Sequence, residues 1–283
     1  MRRSSKVAAG FVIAALAVGC RGILGISDAN NDSSDGGGDG AAIDEGGVIA
    51  DAGTPDVHLV SVFCTKLSPQ ANVCDDFDKD PFLKGWDNFF GNPDPAVGGG
   101  GTLGADLTQW KSPPRSVRMT IPQLLAGTNA DSFLIREVPV GIANIALIVD
   151  VRIETEGFPD QIGHVGVLGM AFDGFDPFVE IRRTKEGAYL RLDDGSESAL
   201  FQPFPVGVWK NVELDFVFSP DAGTVASFID GVPAGDGKLS PTFYHADRYP
   251  RVLVGPGLTQ GPMNEYRVNV DNVVIRGAGA FGK

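Results

Sequence analysis

The stretch IALIVDVRIE, Ile145 to Glu154, decides the fold. Ile145, Leu147, Val149, Val151 and Ile153 fall on one side of an extended chain, and Asp150, Arg152 and Glu154 on the other. A period of two is the mark of a strand half-buried in an antiparallel sheet. The pattern recurs on both sides. Val212, Leu214, Phe216 and Phe218 alternate with Glu213 and Asp215; Val117, Met119 and Ile121 with Ser116, Arg118 and Thr120; Leu190 and Leu192 with Tyr189, Arg191 and Asp193. Asp230-Gly231 after Ser227-Phe228-Ile229 is a hairpin turn signal. Roughly 12 to 14 such runs predict a single all-β sandwich or barrel. No convincing amphipathic helix and no internal repeat is visible, which argues against bundles, propellers and solenoids.

Composition agrees. The 283 residues include 38 Gly and 19 Pro, too many for a helical bundle, and 43% are hydrophobic, enough for a core. A formal net charge of −13 argues against nucleic acid, which is bound through clustered Lys and Arg. Three Cys and three His leave few transition-metal ligands.

The N-terminus reads as an export signal over residues 1–19. Arg2, Arg3 and Lys6 precede an uncharged run, Val7 to Gly19, too short to span a membrane. It ends in Leu16-Ala17-Val18-Gly19-Cys20, which resembles the lipobox of bacterial lipoproteins, although Ala17 stands where Leu is commonest. The resemblance implies lipidation of Cys20 and a membrane partner held through acyl chains. Arg21, in place of Asp, implies an outer-membrane address by the lipoprotein sorting rule. Residues 20–56 read as a disordered Asp/Gly-rich tether. From Ile26 to Asp56 there are seven Asp, one Glu and no Lys or Arg. Such a segment cannot bury enough apolar surface to offset chain entropy, and as a flexible chain it spans roughly 35 Å. Its acids match neither an EF-hand loop nor a tandem calcium-binding repeat.

From Val57 to Lys283 the order of landmarks resembles a known fold. CDDFD (Cys74–Asp78) and Trp86 open the region, SPPRSVRMTI (Ser112–Ile121) follows, then WKNVELDFVF from Trp209, TVASFIDGVP with its turn, and YRVNVDNVVIR (Tyr266–Arg276) closes it. This is similar to the concanavalin A-like, laminin-G-like jelly roll of two antiparallel sheets, and to a group of uncharacterised bacterial lipoproteins. With Cys20 assigned to lipid and the chain exported, Cys64 and Cys74 are expected to form a disulfide worth about 3 kcal/mol; two free buried thiols are the alternative.

The resemblance leaves function open, because this fold hosts hydrolases, lyases, lectins and adhesion modules. Its laminarinase-like hydrolases carry E-x-D-x-(x)-E on one strand. Here Glu213 and Asp215 match, but Val217 or Phe218 replaces the acid/base, which removes the standard two-carboxylate mechanism. A lyase would need a base such as His or Tyr beside an Arg or Asn that neutralises the uronate; His164 with Arg182 or Tyr189 is one such set, and nothing in the sequence places these together. Neither a serine-hydrolase elbow nor a zinc motif is present. Gly99 to Gly104 spells G-x-G-x-x-G without strand or helix around it and reads as a glycine-rich loop. No cofactor is required, but a structural Ca²⁺ between Asp76 on the first strand and Asp271 on the last is one reading, with ordinary Asp/Asn chemistry at a bulge as the other. For sugar binding, aromatic loops offer Tyr244, His245 and Tyr249, and Phe172, Phe175 and Phe178, with Trp110 and Trp86 besides; core packing is the competing role of all these rings. The expected function is non-catalytic, lectin-like binding of a glycan or surface polymer, not enzymatic. The alternatives are a divergent polysaccharide hydrolase or lyase, and a structural or protein-adhesion module.

Overall fold

The computed structural model describes residues 62–68, 71–86, 96–98, 100–126, 128–155, 157, 165–172, 178–199, 201–219, 221, 223–244, 248–257, 259–260 and 262–280. The export signal, Cys20, the tether, His164, Phe175 and His245 lie outside the described residues.

The alternation seen in sequence becomes two antiparallel sheets. The first holds β1 (Val73–Asp75), β3 (Thr102–Asp106), β4 (Ser116–Ile121), β6 (Ile142–Thr155), β10 (Trp209–Val217), β11 (Thr224–Ile229), β12 (Val232–Lys238) and β15 (Tyr266–Ala280). Its order is β12-β11-β10-β6-β15-β4-β3, with β1 also paired to β15. The second holds β2 (Ala96–Gly98), β5 (Asn129–Glu137), β7 (Val165–Ala171), β8 (Phe178–Arg183), β9 (Ala188–Arg191), β13 (Arg251–Val254) and β14 (Thr259–Gln260). Its order is β14-β5-β13-β7-β8-β9, with β2 on β5. This is the expected jelly-roll sandwich. Thr102 to Gly104, read from sequence as the end of a glycine-rich loop, instead begin β3, which pairs with β4.

The apolar faces meet in one core. Val149, Val151, Leu214, Phe216, Val117 and Val270 of the first sheet face it together with Leu134, Met170, Ile181, Leu190 and Val252 of the second. The Asp230-Gly231 turn joins β11 to β12 with φ of 51° and 71°, the left-handed pair that a two-residue hairpin requires. Asn211 N donates to Asp230 Oδ1 at 2.9 Å, which fixes the turn to β10.

The N-terminal part of this body is stapled. A five-residue helix, α1 (Val62–Lys66), carries Cys64, which is bonded to Cys74 of β1 with Cα atoms 5.6 Å apart. Asp75 then accepts from Trp86 Nε1 at 2.7 Å and Phe77 N at 2.8 Å. Both Phe77 and Trp86 are buried in the core, so Trp86 is a packing residue and not a sugar platform.

Candidate functional site

Each sheet has an outward face, and the two differ. On the first sheet it carries a hydrogen-bonded network under the loop of residues 107–115. The network centres on a bulge in β15, where the register slips between Asp271 and Val274 and Asn272 takes φ 51°. Asp271 Oδ2 accepts from Lys111 N at 2.8 Å and Ser112 N at 2.9 Å, and Oδ1 accepts from Asn272 N at 2.8 Å. Asn272 Nδ2 donates to Asp150, and Asn269 Nδ2 to Asp106 and Ser116 Oγ. These contacts fasten the loop. The oxygens of Asp271, one of the two acids read from sequence as possible calcium ligands, thus face three backbone N–H donors. Among the described residues no group of three or more His, Cys, Asp or Glu is arranged to hold a metal. Burial pushes Asp271 up to about 7, with the donors from Ser112, Lys111 and Asn272 pulling the other way.

Glu213 and Asp215 also lie on this outward face, paired across to Ile148 and Phe228, and to Ala146 and Ala226. Burial raises Asp215, opposed by a hydrogen bond with Glu213. Phe218, at one of the two positions a third acid would take, is buried in the core.

The second sheet presents a charged cluster on its outward face. In β8 and β9, Val179, Ile181, Ala188 and Leu190 enter the core. Strand alternation therefore turns Glu180, Arg182, Tyr189 and Arg191 outward. Register sets Arg182 opposite Tyr189 and Glu180 opposite Arg191. The neighbouring strand β7 contributes Gly166, Gly169 and Ala171 to that face. A Cβ on Gly166 would lie 2.6 Å from Glu180 Oε2, and one on Gly169 2.8 Å from the Val179 carbonyl. The glycines thus let Glu180 lie flat against β7, where it is only 5% exposed.

Arg182 Nε donates to Glu180 Oε1, and an Arg191 guanidinium nitrogen stands 3.9 Å from the same oxygen. Burial raises Glu180, and the charges of Arg182 and Arg191 hold it back. Tyr189 donates from its hydroxyl to Glu197 Oε1 at 2.9 Å. Burial and the Glu197 carboxylate push that phenol up to about 12, so it stays protonated. Beyond the edge of β9, Glu197 and Gln202 continue the pairing through bridges to Arg191 and Ala188. Next to Gln202, the Phe201 ring lies 5.3 Å from Tyr189 and is 52% exposed. Across β7 the same face is apolar: Phe133, Ile135, Ala171 and Leu253 form a second buried cluster with Phe178 packed on it.

The structure separates the aromatic residues expected from sequence to bind sugar. Tyr244 packs edge-on to Phe172 at 5.9 Å and stacks on Phe218 at 5.4 Å, so it belongs to the core margin. Phe172 is fully buried. Tyr249 is 54% exposed and lies just before β13 of the second sheet, whereas Trp110, 39% exposed, sits on the loop fastened to the first. Sequence reasoning named Arg182 and Tyr189 only as alternative lyase partners of His164, which lies outside the described residues; the structure sets the two opposite each other. It missed Glu180, Arg191, Glu197 and Phe201, whose only signal was their alternation with buried neighbours.

No family model and no curated protein matches the chain. Among solved structures, an endo-β-1,4-glucuronan lyase from the fungus Trichoderma reesei superposes with a TM-score of 0.54 at 14% identity, covering 74% of this chain and 96% of the lyase. The cellulose induced protein Cip1 superposes with a TM-score of 0.52 at 15% identity, over 72% of this chain and 96% of Cip1. At these identities the likeness is one of fold, the jelly-roll sandwich. It corrects the expectation that the chain is not an enzyme, because the sandwich it shares supports a polysaccharide lyase.

Proposed function

We propose that this chain is a polysaccharide lyase of a uronate-containing polymer, working on the outward face of the second sheet. The observation that carries the reading is the meeting of Arg182 and Tyr189 across β8 and β9, with Arg191 and Glu180 beside them. In β-elimination a base removes the proton α to the uronate carboxylate. The electron pair forms the C4–C5 double bond and expels the glycosidic oxygen, which takes up a proton. Arg182 and Arg191 have the charge and fork geometry to bind that carboxylate and stabilise the negative charge that builds on it. Tyr189, held as a neutral phenol, suits the acid that protonates the leaving oxygen. His164, next in the chain to Val165 of β7, is the base that the sequence offers. Exposed Phe201 supplies an apolar ring for a sugar face.

The test is incubation of the full chain with uronate polymers, following the ultraviolet absorbance of the unsaturated product. Activity lost in Arg182→Ala and Tyr189→Phe supports the reading. A folded protein that neither cleaves nor retains any uronate polymer refutes it. The address belongs to the same proposal: Leu16–Cys20 supports lipid anchoring at the outer membrane, and the Cys64–Cys74 bond suits an oxidising compartment. Incorporation of labelled fatty acid that persists in Cys20→Ser would refute the anchor.

A further inference from the structure

The arginine pair is already engaged. Arg182 and Arg191 point at one carboxylate oxygen of Glu180, and Glu180 is almost wholly buried between β7 and the pair. We propose that Glu180 is a built-in competitor for the anion site: it occupies, between Arg182 and Arg191, the position that a ligand carboxylate would take, and it sets the selectivity of the site. The inference rests on the proposed anionic substrate but adds a role that the elimination chemistry does not require.

Three features support a competitor over a simple structural ion pair. First, the acid is shared between two cations, so a carboxylate that displaced it would gain both partners at once; paired guanidinium groups favour bidentate recognition of this kind. Second, β7 contributes no charge to the contact, because Gly166, Gly169 and Ala171 are its outward residues there. The room for Glu180 Oε2 exists only because position 166 has no side chain. Third, burial already disfavours the ionised Glu180, so the charge it presents to the arginines is held at a cost. Beside the cluster, Tyr189 donates its hydroxyl proton to Glu197. A neutral glycan has no group able to replace Glu180 and would leave the internal pairing intact. A uronate chain can replace it.

The experiment measures dissociation constants by calorimetry for an oligoglucuronate and for a neutral gluco-oligosaccharide, on the full chain, wild type and Glu180→Gln. Without the competing charge the uronate ligand should bind about tenfold more tightly, the change one charge-assisted hydrogen bond makes. The neutral ligand should be unaffected. Gly166→Ala is the second variant, since its Cβ would crowd Glu180 Oε2 without removing the carboxylate; it should shift affinity in the same direction. Wild type that binds uronate while Glu180→Gln binds it equally or more weakly overturns the competitor role and leaves the proposed function standing. No uronate binding by wild type, Glu180→Gln or Gly166→Ala, each shown to be folded, overturns both. Equal tightening for the neutral ligand also overturns the competitor role, because it would reflect a general rearrangement.

Discussion

Asp271 should make the protein more stable as pH falls from neutral toward 5, the reverse of ordinary acid denaturation. Its carboxyl is 0% exposed, and burial carries it from 3.8 to about 7. A carboxyl whose pKa is higher in the folded than in the unfolded chain binds its proton more tightly when folded. Its stabilising contribution is therefore complete below about 4, declines between about 4 and 7 as only the unfolded chain releases the proton, and is gone above 7. Linkage over that gap gives about 2–3 kcal/mol between pH 7.5 and pH 5. Asp78, raised to about 7 by burial and the nearby Asp76 charge, acts in the same direction, as do Glu180 and Asp150. Wild type alone thus cannot isolate Asp271. Asp271→Asn can, because its amide does not titrate. Urea unfolding of both proteins at pH 5 and 7.5 should show wild type gaining about 2–3 kcal/mol more than the variant on acidification. An equal gain in both would mean that Asp271 is ionised when folded, with Lys111 N, Ser112 N and Asn272 N outweighing its desolvation, and the reasoning would fail.

Other outcomes follow from the same geometry. Tyr244→Ala, at the half-buried margin of the core, should lower the unfolding free energy by less than about 3 kcal/mol, the cost of a fully buried aromatic truncation, and leave glycan retention on an affinity gel unchanged; lost retention with unchanged stability would restore it as a ligand residue. Gly255→Ala should lower the melting temperature, because φ is 108° there and the new Cβ would lie 2.1 Å from Met119 Sδ. Replacing Cys64 and Cys74 together by Ser should cost about 3 kcal/mol of stability, measured by urea melts in the absence of reductant. Melting temperature should be the same in chelator and in millimolar Ca²⁺, since Asp271 is filled by donors; a rise with Ca²⁺ would support the calcium reading.

Strand identity was legible because a half-buried strand imposes alternation on its residues, and IALIVDVRIE shows it without interruption. The bulge in β15 was legible too, though less plainly. Val268 and Val270 face the core on one parity, Val273 and Ile275 on the other, and only an extra residue between them reconciles the two. Tyr244 could not be placed from sequence. Its loop, PTFYHADRYP, has no periodicity, and its inward turn depends on Phe172 and Phe218, which lie far away along the chain. The candidate site was half legible. Alternation turns Glu180, Arg182, Tyr189 and Arg191 to one face, but the register that sets Arg182 against Tyr189 comes from the turn between β8 and β9. What makes Glu180 a buried partner is Gly166, on a strand that precedes it by a separate stretch of chain.

Net charge and the proposed substrate pull in opposite directions, and the conflict constrains how the site works. A chain of net charge −13 repels a polyanion at long range. The attraction must come from contacts within a few ångströms, where Arg182 and Arg191 are partly buried and screened less than surface charges. Such a protein should not show the steep loss of affinity with salt that marks polyanion binders built on broad basic surfaces. Added salt weakens the local pairs but also screens the repulsion from the rest of the acidic body, so uronate affinity between 50 mM and 200 mM salt should change by less than about tenfold, against losses of about 10³ or more for a broad phosphate-binding surface. A steep fall would place binding on a larger basic surface elsewhere and would remove Arg182 and Arg191 as its centre. A shallow one fits a site in which two arginines, one internal acid and one aromatic ring decide what the chain holds.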